Sequence, residues 1–398
     1  MELEEVIEAY FDCRRNKRNT QNQLRFELNY EQECIQLWDD LETRRYEPGR
    51  SIAFVVDRPV KREIFAADFR DRVVHHIIAR RIYPLLEKQF ITDSYATQKG
   101  KGTLYGQQHI AMHMWECSEN YTKDCYVMKL DIRGFFMSID KKRLYDRTMQ
   151  FLARFAPTDS QWYQELSFMI SKTIFNRPEV NCIRKMPRSR WKDLPPNKSL
   201  FNTDGTHGLP IGNFTSQLLA LLYLDPLDHL MTGAWNVRHY GRYVDDMVMI
   251  HPDHQVLLDV KQKTDSWLSS EKLTLHPRKF YLQHYRKGVA FIGGVIKPGR
   301  RYLSHRTVAR IYSRVHHFTE LLATEEAVTE QELASLRATM NSYLGMMRHY
   351  KSQRLFHRVL RRISADWYRY TYISKRGRRV KLVARRTRRA TWHMRAAA

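Results

Sequence analysis

Between Arg242 and Ile250 the chain reads RYVDDMVMI, two adjacent carboxylates set between two β-rich runs. That is the pattern of a hairpin with an acidic turn. Asp131 lies 114 residues before Asp245, at the end of another apolar run, YVMKLDI, which reads as a buried strand entering a turn. Three carboxylates on strand ends can converge. Adjacent strand side chains point to opposite faces, so one of the pair faces Asp131 and the other sits nearer the rim. Asp245 is the expected inner member. Such a cluster does not stay ionised without cations, and Mg²⁺ is typically held by one or two carboxylates plus substrate phosphates. Two such ions clamp an in-line phosphoryl displacement. Taken alone, Asp-Asp is also simply a good turn former, and Phe135 and Phe136, just after Asp131, read as core aromatics.

Around these strands most of the chain has helical periodicity. Leu3 to about Leu41 predicts two helices joined by the basic loop RRNKRNTQNQ. Arg70–Phe90 predicts a helix that Pro84 bends or interrupts, and Thr158–Phe175 one capped by Asp159 or Ser160. TSQLLALLYLDPLDHLM and most of Thr307–Trp367 are further helices. SIAFVV, starting at the last serine of the turn YEPGRS, and FIGGVI (Phe291–Ile296) read as short strands, while QKGKGTLYG and RKMPRSRWKDLPPNKSLFNTDGTHG read as loops. At 398 residues and 43% hydrophobic, two or three packed units are expected.

Lys and Arg number 67 against 43 Asp and Glu, a formal charge of +24 that predicts a polyanionic partner, nucleic acid first. Ten of those charges fall in the last 24 residues, an acid-free tail expected to bind phosphates. No apolar run approaches the roughly 18 residues that cross a bilayer, so no membrane partner is expected. The five cysteines include no CxxC pair and read as reduced thiols. With an acidic, amphipathic start that lacks a secretory pattern, they imply a cytoplasmic address. His109 and His113 have i, i+4 spacing but no evident third ligand, so no metal site is expected there.

LDIRGFFMSID resembles the palm motif of reverse transcriptases and YVDD their YxDD box. SYATQKGKGT is similar to their fingers motif, LTLHPRK to the motif after the YxDD hairpin, and FIGGVI to the primer-grip strand. Where most of these enzymes read QGxxxSP, this chain reads IGNFTSQ, with Ile211 in the Gln position and Gln217 in the Pro position. That resembles the reverse transcriptases of diversity-generating retroelements, as do REIFAADFRDRVVHH and NSYLGMMRHY.

The resemblance implies an α+β right-hand polymerase with fingers, a ferredoxin-like palm around a central antiparallel sheet, and a helical thumb. Its parts would be an N-terminal helical extension (1–45), fingers (46–125), palm (126–300, with a fingers segment at about 150–210), thumb (301–374) and basic tail (375–398). It implies that Asp131, Ile132, Asp245 and Asp246 hold two Mg²⁺, for which Mn²⁺ can substitute, and that Lys279 protonates the leaving pyrophosphate. Arg62, Lys99, Lys101, Arg133, Gly134, Phe135, Phe136, Ile211, Gly212 and Gln217 would meet the nucleotide, with Phe136 the gate against a 2′-hydroxyl. Phe291, Ile292, Gly293 and Gly294 would form the primer grip. Related fingers motifs often carry Arg where this chain has Gln98.

The activity so implied is copying of a template RNA into cDNA, from dNTPs and a DNA primer, with low fidelity opposite adenine. A small basic accessory variability protein would assist in a bacterial or phage-infected cell. No RNase H or endonuclease domain is expected, so target cutting would come from elsewhere. The alternatives are retron, group II intron-like or phage-defence reverse transcriptases. A non-catalytic RNA-binding protein on a polymerase scaffold fits the charge equally well but leaves the three carboxylates unexplained.

Overall fold

Three helices, not two, open the computed structural model: α1 (Leu3–Arg14), α2 (Gln21–Leu28) and α3 (Tyr30–Glu42). The structure describes residues 1–15, 20–57, 60–323, 328–376 and 379–385. α2 begins in the last three residues of the break expected as a loop and runs on beyond it, forming because Phe26 packs on Tyr10 and Phe69, with ring centroids 5.6 and 5.2 Å apart. The chain divides into two units, Met1–His284 and one from Tyr285 onward.

In the first unit, β1 (Ile52–Val56) pairs antiparallel with β2 (Arg62–Ala66), a strand the charged flanks of REIFA concealed. Asp68 caps α4 (Phe69–Gln89), which continues through Pro84. A proline inside a helix costs about 3 kcal/mol. The buried face of Val73, Val74, Ile77, Ile78, Ile82 and Leu86 offsets it. Then come α5 (Thr103–Cys117), β3 (Tyr126–Asp131), α6 (Phe135–Ser138), α7 (Lys141–Leu152) and α8 (Gln161–Ile174), which Ser160 caps. The long polar connection holds only β4 (Ile183–Arg184), parallel to β1, and three short 3₁₀ turns before α9 (Phe214–Thr232).

β5 (His239–Tyr243), β6 (Asp246–His251), α10 (His254–Ser270) and β7 (Tyr281–His284) complete the unit. The sheet order is β5-β6-β3-β7, antiparallel throughout. Met128 pairs with Met249 and Leu130 with Met247, and all four join the core with Ile77 of α4 and Leu218 and Leu222 of α9. Side chains alternate along a strand, so Lys129, Asp131 and Asp246 belong to the other face.

The second unit holds β8 (Val289–Phe291), β9 (Gly294–Lys297) and β10 (Arg300–Leu303), then α11 (His305–Ala323), α12 (Glu330–Met347), α13 (Gln353–Arg361) and α14 (Trp367–Tyr370). FIGGVI is not one strand: Ile292 (φ 38°) and Gly293 (φ 88°) form a two-residue turn between β8 and β9. Both turn positions need positive φ, which Gly293 supplies without strain. The basic segment does not begin as a tail. Thr371–Arg376 (β11) and Arg379–Ala384 (β12) pair as a hairpin, and Asn341 of α12 exchanges two hydrogen bonds with Leu382. Residues 386–398 of the expected tail lie outside the described residues. Among the described residues the fold is mixed α+β, and no helix is long and apolar enough to cross a membrane.

Candidate active site

The β3–β6 ladder sets Asp131 directly opposite Asp246, while Asp245 lies one residue back in the turn after Val244, whose φ is +58°. Burial, then Asp246, then Asp131 push the Asp245 carboxyl up from 3.8 to about 6. Two lysines answer this charge. Lys279 Nζ donates to both carboxylate oxygens of Asp131 at 2.8 Å, and Lys129 Nζ lies 3.1 Å from Asp246 Oδ1. Lys279 arrives because its segment runs beside the end of β3. The amide of His276 donates to the Asp131 carbonyl, that of Arg133 to the Thr274 carbonyl, and Ile132 bridges to Leu275.

Beneath the turn is a buried ion pair. Arg242 and Asp228 both have fully buried side chains; Arg242 Nε donates to Asp228 Oδ1 at 2.7 Å and Nη2 to Oδ2. Tyr240 donates to the same carboxylate at 2.7 Å. Arg242 Nη1 reaches the Val244 carbonyl at 2.8 Å, so the pair holds the backbone just before Asp245. Burial opposes the guanidinium charge, but Asp228 outweighs it and holds the Arg242 pKa above its ordinary value.

Past Asp131 the chain turns at Gly134, whose φ is +59° and whose added Cβ would lie 2.6 Å from the Asn197 carbonyl oxygen. Asn197 belongs to the connection that Glu63 anchors. The Glu63 carboxylate accepts from Trp191 Nε1 (2.7 Å), Ser199 Oγ (2.7 Å) and the Leu200 amide (2.6 Å), and burial pushes its pKa up despite these bonds. Gly134→Ala is expected to lower stability by about 1–3 kcal/mol, from the left-handed backbone and the blocked contact together. Urea unfolding of the two proteins measures the difference.

Phe135 is buried; Phe136 is half-buried and packs, like Ile211, against the cluster of Ala53, Phe65, Met137 and Leu200. The Ile211 carbonyl accepts the Phe65 amide at 2.8 Å, and Gly212 (φ +126°) sits where a Cβ would meet Ile64 and Phe65. Gln217 Oε1 accepts from Thr97 at 3.0 Å. The basic residues are more dispersed. Arg62 opens β2, and Arg133 and Lys99 are exposed. The Lys101 ammonium folds back on the Thr92 and Ser94 carbonyls at 2.8 and 3.3 Å, and burial lowers its pKa. Gln98 turns inward to the Ser94 carbonyl. Phe291, Ile292, Gly293 and Gly294 lie in the second unit.

Sequence reading missed Lys129, Arg242, Asp228, Glu63 and Asn197. Lys129 had a signal, being two residues from Asp131 and so on its face; the others act through partners distant in the chain.

The family model for reverse transcriptase (RNA-dependent DNA polymerase) matches residues 61–296, more than half of the chain. The chain belongs to the reverse transcriptase family. It is therefore an RNA-directed DNA polymerase, acting on template nucleic acid and deoxynucleoside triphosphates. Reverse transcriptases use divalent metal ions, and the carboxylates fit one: the donors are hard oxygens, and Asp245 is already destabilised as an anion by its two neighbours. Comparison with curated protein sequences gave no match.

Proposed function

We propose that this reverse transcriptase belongs to a diversity-generating retroelement and copies a template RNA into cDNA with low fidelity opposite adenine. The observation that carries this reading is Ile211, an apolar side chain in the Gln position of the motif, packed against the same cluster as Phe136. A polar side chain at that position holds template base and incoming sugar by hydrogen bonding, whereas isoleucine supplies only shape. One hydrogen bond is worth about 1 kcal/mol net, so its loss loosens selection by up to about tenfold.

In this reading residues 46–125 are fingers, 126–300 palm with a fingers segment at about 150–210, and 301–374 thumb. Residues 1–45 are the N-terminal extension. Asp131, Asp245, Asp246 and the backbone at Ile132 are the ligands of two Mg²⁺ ions, which supply Lewis-acid activation and charge neutralisation for attack of the primer 3′-hydroxyl on the α-phosphorus. Lys279 holds Asp131 in the free protein and is positioned to give a proton to departing pyrophosphate. The Gly134 and Phe135 amides face the triphosphate, Arg62, Lys99, Lys101 and Arg133 balance its charge, and Phe136 excludes a 2′-hydroxyl. Gly212 and Gln217 border the pocket, and the Phe291–Gly294 turn grips the primer. A basic accessory variability protein assists.

The test is cDNA synthesis with Mg²⁺ on an adenine-containing RNA, alone and with the accessory protein, followed by product sequencing. Errors concentrated opposite adenine are expected, reduced severalfold by Ile211→Gln. Accurate cDNA would instead mark a retron-like or intron-like enzyme.

A further inference from the structure

Away from the carboxylates, α5 presents His109 and His113 one turn apart toward the segment that follows α4. Asp93 in that segment supplies the third ligand that spacing alone did not reveal. Its Oδ1 lies 2.9 Å from His109 Nδ1 and 3.2 Å from His113 Nε2, and the three ligand atoms all fall within 4.8 Å of one another. Tetrahedral zinc with bonds of about 2.0–2.1 Å sets neighbouring ligand atoms roughly 3.3 Å apart. His113 is only 5% exposed, and its Nε2 has Asp93 Oδ1, 3.2 Å away, as a facing group but no other partner in hydrogen-bonding geometry. A lone pair on a buried ring nitrogen that faces a carboxylate oxygen is poorly satisfied. A bound cation would take its lone pair.

We propose that Asp93, His109 and His113 bind one Zn²⁺, with water completing the shell, at a site separate from the catalytic carboxylates. Two imidazoles and one carboxylate select zinc over magnesium, which takes oxygen. A second trio, His113, Glu116 and His239, uses the opposite ring nitrogen of His113. A neutral imidazole offers a lone pair at one nitrogen only, so the trios exclude each other. With Nε2 on the metal, Nδ1–H faces Glu116 Oε2, 4.0 Å away, and His239 Nδ1, 3.4 Å away, groups that orient the ring from behind.

The position gives the metal a task. The Arg242 amide donates to the Asp93 carbonyl and the Tyr95 amide to the Arg242 carbonyl, both at 2.9 Å. The site thus fastens α5 and the 91–102 segment to β5, the strand that leads into Val244, Asp245 and Asp246.

The experiment uses full-length protein carrying no histidine tag, loaded with Zn²⁺ alone, desalted and assayed for metal by mass spectrometry. About one retained equivalent is expected, with retention at least about tenfold lower in His109→Asn and His113→Asn. Asp245→Asn should keep its zinc, which separates this site from the catalytic one. Replacing Zn²⁺ by Co²⁺ in the unmutated protein should give the visible absorption of a four-coordinate site, a readout independent of whether the variants fold. No retained zinc and no cobalt absorption would overturn the proposal. So would loss of zinc from His239→Asn with retention by His109→Asn, which would assign the metal to the other trio.

Discussion

Asp245→Asn should abolish primer extension, by on the order of 10³-fold or more, while raising the stability of the metal-free protein at neutral pH. The two effects have one source. Asp245 is held beside Asp131 and Asp246 with its carboxyl pushed up from 3.8 to about 6, so ionisation in the folded state is unfavourable. Between those values the native protein binds the extra proton and the unfolded chain does not, so this group's contribution to stability falls as pH rises through that window. Asparagine removes the charge and is expected to gain about 1–3 kcal/mol at neutral pH. Thermal unfolding in EDTA at pH 5 and pH 7.5 reads this directly, with a weaker decline toward high pH in the variant. A variant that lost both activity and stability would show that Asp245 is structural.

Arg242→Met is the second large effect. It strands the Asp228 carboxylate without its cation in a fully buried position, where breaking a pair costs about 3–5 kcal/mol. It also removes the donor to the Val244 carbonyl, so extension should fall further than the folded fraction does. The double variant Arg242→Met, Asp228→Leu removes both charges and should recover part of the stability, short of all of it because the buried Tyr240 hydroxyl loses its acceptor. Its extension rate should stay low, because nothing then holds the turn. Urea unfolding beside primer-extension rates on the three proteins separates the contributions.

The elements legible in the sequence were those whose pattern is local. The β-rich runs either side of the acidic pair marked β5 and β6, the apolar-rich LLALLYL stretch marked α9, and Ser160 announced the start of α8. Tertiary contacts decided the rest. Phe26 makes α2 worth forming, the apolar face of α4 carries it past Pro84, and Gly293 splits an apparently continuous strand. At the site, the adjacent carboxylates were visible as a motif, but the ladder that sets Asp246 against Asp131 depends on register. Arg242 stood in plain view beside the motif. Its partner Asp228 lies on α9, and no spacing rule connects them. Asp93 escaped for the same reason, as a loop residue 16 positions before His109.

The order of the central sheet also bears on how the chain is made. β3 carries Asp131, yet its two ladder neighbours are β6 and β7, both encoded more than 100 residues later. At roughly 5–20 residues per second, a ribosome needs several seconds at least to reach them. Throughout that interval YVMKLD lacks both of its native partners, in a nascent chain that contains α1 to α5 from the outset. Translation speed between residues 131 and 284, and chaperone access to that strand, therefore govern the yield of active polymerase, because pairings so distant in the chain form late.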